Sequence, residues 1–270
     1  SECLVGSEMC IRDRNMKVSI ITSCFNREAT IGDAIESVLS QTYPDIEYIV
    51  IDGASKDNSW AVIQRYKEGI AQMVSERDRG MYEGINKGLK RATGDIIGLI
   101  HSDDFLFSKE TIAHIVRKFE ETDADLVYGN GLFVDAKDTQ KVVRNWISGS
   151  YSKGKMKRGW LPLHPTVYIR RECIERLGLY DESFKIAADS DFLVRYLYEG
   201  NLKVAYLDEY IVRMRMGGLS TDPEKMKQKW AEDLRMYRSH GFSPYLTLGM
   251  KILSKIPQFI SAKLMKKGAI

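Results

Sequence analysis

Hydrophobic and polar positions follow two alternating periods along the first half of the chain. Residues 17–23 (KVSIITS) form a β-branched run of strand length. Over 28–41, Ile31, Ala34, Ile35, Val38 and Leu39 recur at helical spacing and predict a helix with one apolar face. Tyr43-Pro44-Asp45 breaks the chain. A second strand is predicted at 46–51, ending at Asp52-Gly53, then a helix at 58–66 and a short strand at 71–75. A helix over 82–92 stops at Thr93-Gly94, and a third strong strand at 95–100 ends at His101-Ser102-Asp103-Asp104. A helix over 109–121 and a strand at 125–128 follow. Strands alternating with helices predict an α/β fold, Rossmann-like, with a mainly parallel sheet flanked by helices. Such sheets bind ligands at the carboxyl ends of their strands. The polar clusters 22–27, 52–57 and 101–104 fall there.

The pattern changes near residue 130. Strands shorten, and the Gly- and Lys-rich stretch 153–160 reads as a mobile loop. Helices are predicted at 172–177, 189–198 and 223–239. The tail, 246–267, mixes apolar residues with Lys251, Lys255, Lys263, Lys266 and Lys267 and has no acidic residue. It reads either as a packed helix with a solvated lysine face or as a basic amphipathic segment on an anionic membrane surface. Residues 1–15 lack the charged and apolar regions of a signal peptide. They are expected to be a non-native leader, with the native start at Met16. This divides the chain into a leader (1–15), one domain (16–220, with halves at 16–130 and 131–220) and a helical basic tail (221–270).

Charge and cysteine content narrow the classes. The chain has 270 residues, with 40 basic and 37 acidic side chains, a balance that argues against nucleic acid as the ligand. No apolar run is long enough to span a bilayer. Cys3, Cys10, Cys24 and Cys173 form no CxxC pair and no zinc-ligand spacing, so all four are read as reduced thiols of a cytoplasmic protein.

Three clusters carry candidate chemistry. Asp103 and Asp104 end a buried strand, and adjacent carboxylates repel unless neutralised. A divalent cation, Mn²⁺ or Mg²⁺, would do so together with substrate phosphates; a helix N-cap is the plainer reading. In Asp52-Gly53-Ala54-Ser55-Lys56-Asp57, Gly53 permits a tight turn, while Asp52 could accept from a base N–H or a ribose hydroxyl. In 76–88, Arg79 or Lys87 could neutralise phosphate, or the charges could form a solvated loop. No GxGxxG or Walker A pattern is present.

In this order the clusters resemble family 2 glycosyltransferases of the GT-A fold. The match runs through Val18-Ser19-Ile20-Ile21-Thr22, Phe25-Asn26-Arg27, residues 37–44, residues 52–57, Asp78-Arg79-Gly80-Met81-Tyr82, Asn86-Lys87-Gly88, Ala92-Thr93-Gly94 and the double aspartate. It covers roughly 17–220. The resemblance implies a GT-A domain with a C-terminal helical extension and a nucleotide-sugar donor, UDP being the most frequent nucleotide. Thr22, Asn26, Arg27, Asp52, Ser55 and Asp78 would line the nucleotide pocket. Asp103 and Asp104 would be the DxD-type metal pair, with Asp104 making the direct contact.

The second half extends the resemblance. Ala187-Ala188-Asp189-Ser190-Asp191 is similar to the family's acceptor segment, whose aspartate acts as general base; by position this is Asp189. Asp191 would be an acceptor contact or a first-turn acid. His164 would meet the acceptor or the diphosphate. Arg213, Arg215 and 217–220 are similar to a segment that closes over the diphosphate. The acceptor implied is a saccharide or lipid-linked saccharide, and the reaction an inverting transfer in cell-surface polysaccharide synthesis, with peripheral membrane contact through the basic tail. The sequence departs from the pattern at His101, where many relatives carry Asp or Asn, at Ala188, often acidic, and at Glu83-Gly84. A sugar nucleotidyltransferase and a catalytically silent nucleotide-sugar-binding domain are the competing readings.

Overall fold

The computed structural model describes residues 15–217 and 223–264. Cys3, Cys10, nearly all of the expected leader, 218–220 of the arginine–glycine segment, and Lys266 and Lys267 lie outside the described residues.

The first strands are β1 (Val18–Cys24), β2 (Ile46–Asp52), β3 (Gln72–Ser75) and β4 (Ile96–Leu99). β1 pairs parallel to β2 and β4, and β2 pairs parallel to β3. The inner strands are almost continuously buried, which is why their sequences read as β-branched apolar runs rather than alternating ones. Polar exceptions are fully satisfied. Glu47 accepts from Ser19 Oγ at 2.6 Å and from the Thr93 amide at 2.8 Å, and pins the starts of the strands together.

Short helices cross between these strands: α1 (Ile31–Leu39), α2 (Ser59–Gln64) and α3 (Met81–Leu89). On α1, Ile31, Ala34, Ile35 and Val38 are the buried residues, as the spacing predicts. Each full burial of such an aliphatic side chain contributes on the order of 2 kcal/mol. The remaining elements of the sheet are β5 (Phe105–Leu106), β6 (Leu126–Val134), β7 (Val142–Trp146), β8 (Tyr168–Arg170) and β9 (Val204–Arg215). The sheet order is β3-β2-β1-β4-β8-β6-β9-β5, with β7 on β6.

The parallel pattern holds through β4 and then changes. β8 is antiparallel to both β4 and β6, β7 is antiparallel to β6, and β5 to β9, while β6 and β9 run parallel. The α/β fold stands, and its sheet is mixed. The strand expected to end at Tyr128 continues to Val134, buried throughout, because β7, β8 and β9 share its two edges.

Helices α4 (Thr111–Thr122), α5 (Lys153–Lys157), α6 (Arg171–Leu177), α7 (Ala188–Val194) and α8 (Met226–Ser239) follow, with α9 (Pro244–Leu253) and α10 (Ile256–Leu264) at the end. The stretch 153–160, expected to be a mobile loop, is instead α5 and a pinned turn. Met156 is buried, Trp160 Nε1 donates to the Ser148 carbonyl at 2.8 Å, and Thr247 Oγ1 on α9 donates to the Lys157 carbonyl at 2.9 Å. Its lysines point outward around one buried anchor, a pattern that composition alone disguises as a loop.

The C-terminal extension also inverts the expected helix faces. Lys251 and Lys255 turn inward, while Leu246, Leu253, Ile256 and Ile260 are more than half exposed. No helix among the described residues is long and apolar enough to cross a membrane. Cys24 and Cys173 are free and buried, and burial pushes both thiols up, to about 12 and about 11.

Candidate active site

A cavity of about 970 Å³ opens where the strand ends of the parallel half face α7, α8 and α9. Its wall takes Asn26 and Arg27 from the loop after β1, Asp78 from the loop before α3, and His101, Asp103 and Asp104 from the loop after β4. The opposite wall takes His164, Asp189 and Arg215. Arg79, beside Asp78, lines it too, so ten of the candidates read from sequence share one space.

The others stand behind it or apart from it. Asp52 is fully buried and accepts from Ser55 Oγ and Ser75 Oγ, both at 2.5 Å, so its carboxylate organises the loop around it. Ser55 in turn accepts from the Asn26 amide at 2.9 Å, and Asn26 Oδ1 accepts from the Lys56 amide at 2.8 Å. Asn26 sits at φ 51°, a left-handed conformation that its short polar side chain tolerates. Thr22 is buried, donating to the Ile100 carbonyl at 2.9 Å. Both Thr22 and Asp52 therefore support the loops that form the wall.

Lys87 is occupied elsewhere: its Nζ donates to the Arg77 carbonyl at 2.9 Å and pairs with Glu76 at 3.3 Å. Arg213 stacks on the Phe107 ring at 4.9 Å, outside the cavity lining. Asp191 is buried between Arg195 and His240, both at 2.9 Å, and does not line the cavity. It stands in the first turn of α7, one residue beyond Ser190, and is turned toward α8.

Gly53 has a different reason from the one turn chemistry suggests. The left-handed residue is its neighbour Ala54, at φ 58°. A Cβ on Gly53 would lie 2.5 Å from Asp78 Oδ2, so the glycine lets the Asp78 carboxyl pack against the loop. Burial pushes the Asp78 carboxyl above its ordinary range.

The acidic pair is asymmetric. Asp103 lies 3.8 Å from Arg27 Nε. Asp104 is buried; its Oδ1 accepts from the Arg215 amide at 3.0 Å, and its Oδ2 has no hydrogen-bond partner among the described residues. Burial, and then the charge of Asp103, push the Asp104 carboxyl well above its ordinary value. An orphaned buried carboxylate oxygen beside a second carboxylate fits a divalent cation completed by phosphate oxygens and water. No group of three or more His, Cys, Asp or Glu among the described residues could hold an ion alone, so the remaining ligands would have to come from substrate and solvent. The helix-cap reading fails, since the residue capping α4 is Glu110.

Asp189 lies in the first turn of α7, whose cap is Ala187, so it is not the cap either. The backbone leading to it is held from α8: Glu232 Oε2 accepts from the amides of Lys185, Ile186 and Ala187 at 3.0, 2.8 and 3.0 Å. Burial opposes the Glu232 charge, and these amides with Gln228 hold its carboxyl below the ordinary range. Beneath α7, Tyr180, Phe192 and Tyr196 form a continuous ring stack with centroids 4.2 and 3.9 Å apart. His164 Nε2 and the Tyr180 hydroxyl share a hydrogen bond of 2.6 Å. Burial pushes His164 down to about 4 and His101 in the same direction, so His164 is neutral at pH 7 and suits a hydroxyl better than a phosphate.

Sequence reasoning missed Phe25, Ser23, Glu232 and the inward cations Arg144, Lys229, Lys251 and Lys255. Phe25 follows a strand end and is half exposed at the cavity wall, a signal that was available. Ser23 lies in the strand-end cluster 22–27 and was equally open to notice, whereas Glu232 and the inward cations act across long sequence separations that no local pattern reveals.

A mixed sheet with acidic strand-end loops facing a carboxylate on a helix across the cavity is the architecture of the GT-A fold. The family described as Glycosyl transferase family 2 matches residues 19–181, more than half of the chain, and this protein belongs to it. It is 27% identical over 247 residues to the uncharacterized glycosyltransferase EpsJ of Bacillus subtilis, covering 84% of this chain and 71% of EpsJ. Its fold matches S. aureus TarS 1-349, solved with UDP-GlcNAc, at a TM-score of 0.62 and 19% identity over 92% of this chain and 79% of that one. It spans 40% of a longer TarS chain. It also matches the mannosyltransferase PcManGT from Pyrobaculum calidifontis, solved with GDP-Man and Mn²⁺, at a TM-score of 0.64 and 17% identity, over 93% of this chain and 74% of that one.

Proposed function

We propose that this glycosyltransferase moves a sugar, with inversion, from a UDP-sugar to a hydroxyl of a saccharide or lipid-linked saccharide during cell-surface polysaccharide synthesis. The observation that carries the reading is the orphaned Oδ2 of Asp104, a residue that lines the same cavity as Asp189. TarS with UDP-GlcNAc and PcManGT with GDP-Man and Mn²⁺ support a nucleotide-sugar donor and a divalent cation.

In this reading Asp103 and Asp104 hold Mn²⁺ or Mg²⁺ with the donor diphosphate. The cation, when bound, neutralises charge developing on the leaving group. Arg27 and Arg215, which approach the acidic pair from opposite walls, add fixed positive charge beside it. Phe25 offers its ring to the base, and Asp78 a carboxyl to the nucleotide. Asp189 accepts the proton of the acceptor hydroxyl as its oxygen bonds to the anomeric carbon. The bond from that carbon to the diphosphate breaks on the opposite face, which inverts the configuration. Neutral His164 orients the hydroxyl.

The exposed apolar side chains of α9 and α10, with exposed Lys263 beside them, support docking on an anionic lipid surface from the cytoplasmic side. Leu253→Ser with Ile260→Ser should abolish cosedimentation with phosphatidylglycerol vesicles; unchanged sedimentation removes the membrane from the proposal.

The deciding test is thermal stabilisation of the protein by UDP, GDP, CDP and dTDP, each with and without Mn²⁺, alongside Asp104→Asn. The expected result is a Mn²⁺-dependent rise in Tm with UDP that the variant loses. No rise with any nucleotide in a folded sample would overturn the donor site.

A further inference from the structure

Four cations from distant parts of the sequence meet at one end of the cavity: Arg144 of β7, Lys229 of α8, Lys251 of α9, and Lys255 between α9 and α10. Arg144 is buried and clamped by rings. Its guanidinium lies 4.3 Å from the Trp146 centroid, 4.8 Å from Phe133 and 5.6 Å from Phe259, and its Nε donates to Gln258 Oε1 at 2.6 Å. Its Nη2 has no hydrogen-bond partner among the described residues. Burial pulls Arg144 down to about 10. Burial, and then Lys229, Lys251 and Arg144, push Lys255 down to about 8. The carboxylates facing the group are Asp233, 3.0 Å from Lys251 Nζ, and Asp189, whose charge acts on Lys229 and Lys251.

We propose that this cluster is a second anion site, which holds a phosphate group of the acceptor beside the receiving hydroxyl. The proposal rests on the transfer mechanism above and narrows its acceptor to a phosphorylated or diphosphate-linked saccharide. Like charges brought together out of water repel, and a buried guanidinium N–H without an acceptor is costly. A phosphate relieves both at once: it takes the open edge of the Arg144 fork and offsets the charge of Lys255, while Lys251 keeps its Asp233 partner.

The cluster is distinct from the donor end. Its cations come from β7, α8, α9 and the joint after α9, whereas the acidic pair is contacted by Arg27, 3.8 Å from Asp103, and by the Arg215 amide, 3.0 Å from Asp104 Oδ1. Asp189 lines the same cavity as the cluster, and its charge acts on Lys229 and Lys251 as well as on His101 and His164. Lys251 Nζ lies 3.4 Å from the hydroxyl of Ser190, the residue after the base. A phosphate seated on the cluster therefore belongs to the molecule whose hydroxyl Asp189 deprotonates.

The test is calorimetric titration of glycerol 3-phosphate and of inorganic phosphate into the full chain saturated with UDP and Mg²⁺. Saturable binding is expected, weakened about tenfold in Lys255→Gln and in Arg144→Gln, the loss of one charge-assisted hydrogen bond each. UDP affinity, titrated separately, should not change. Lys255→Gln decides the matter if Arg144→Gln does not fold. Competition between the probes and UDP would assign the cations to the donor diphosphate and overturn the proposal. So would binding that the variants do not weaken, or no saturable binding. Variants that lose phosphatidylglycerol vesicles while keeping both phosphate probes would assign the cluster to lipid headgroups, with the same consequence. If UDP fails to bind but the phosphate titration behaves as expected on the free chain, the donor reading fails and the anion site stands.

Discussion

The two walls of the cavity hold their polar groups in opposite ways. On the strand-end wall, the loops after β1 and β2 are fastened to each other through Asp52, Ser55, Asn26 and Asp57, so most polar atoms already have protein partners. The exceptions are at the acidic pair. On the helical wall, charged side chains of both signs, Asp189 with Lys229 and Lys251, line the cavity from α7, α8 and α9. The first wall is a preformed template, rigid before any ligand arrives. The second is an arrangement of charge that a substrate completes.

The comparison is sharpest at Asp189. Asp189→Asn should lower the rate of UDP release from a UDP-sugar by about 10²–10⁴-fold while leaving the UDP-dependent rise in Tm intact. Equal loss of nucleotide binding would merge the two walls into one function. Next in size is Asp191→Ala, which takes one partner from Arg195 and one from His240 while leaving them the Leu177 and Leu179 carbonyls and Glu199, and should cost about 1–3 kcal/mol of stability, read from denaturant unfolding. A stable variant with impaired acceptor use would instead return Asp191 to the acceptor site.

Glu232 tests whether the helical wall positions the base. Glu232→Ala should lower kcat about tenfold with little change in donor KM, because three backbone amides before Asp189 lose their acceptor. A drop confined to Tm would reduce it to a structural brace. The smallest effect is in acid stability, where the walls separate by pH. His164 binds a proton near pH 6.5 when unfolded but only near 4 when folded. Between those values the unfolded chain holds more protons, so stability falls as pH drops from about 6.5 to about 4. Glu47, beneath the strand wall, is held at about 2 against an ordinary 4.5: burial opposes its charge, and hydrogen bonds from Ser19, Thr93 and Lys17 more than offset that. Its contribution is lost lower, as pH falls from 4.5 toward 2. His164→Gln should flatten the upper window alone in pH-dependent melts.

The strand wall was largely legible in the sequence. Runs such as Val18–Cys24 and Ile46–Asp52 announce buried strands, and position at a strand end places Asn26, Arg27, Asp103 and Asp104 on the cavity. Asp52 and Thr22 share that position yet stand behind the wall, because alternate residues at a strand end face opposite sides and a hydrogen-bonding neighbour decides which carboxylate stays free. The stretch 153–160 misled for a related reason, as one buried Met156 outweighs its surface lysines.

By itself the sequence determined the alternating elements, the family, the acidic pair and the first-turn aspartate of α7, since each depends on spacing within a few residues. The mixed sheet, the amide clamp of Glu232, the inward turn of Lys251 and Lys255, and the meeting of Arg144 with them were decided only in three dimensions. Those features depend on which helix packs on which strand across long separations, and a local pattern of hydrophobic and polar residues says which face is apolar but not what it meets.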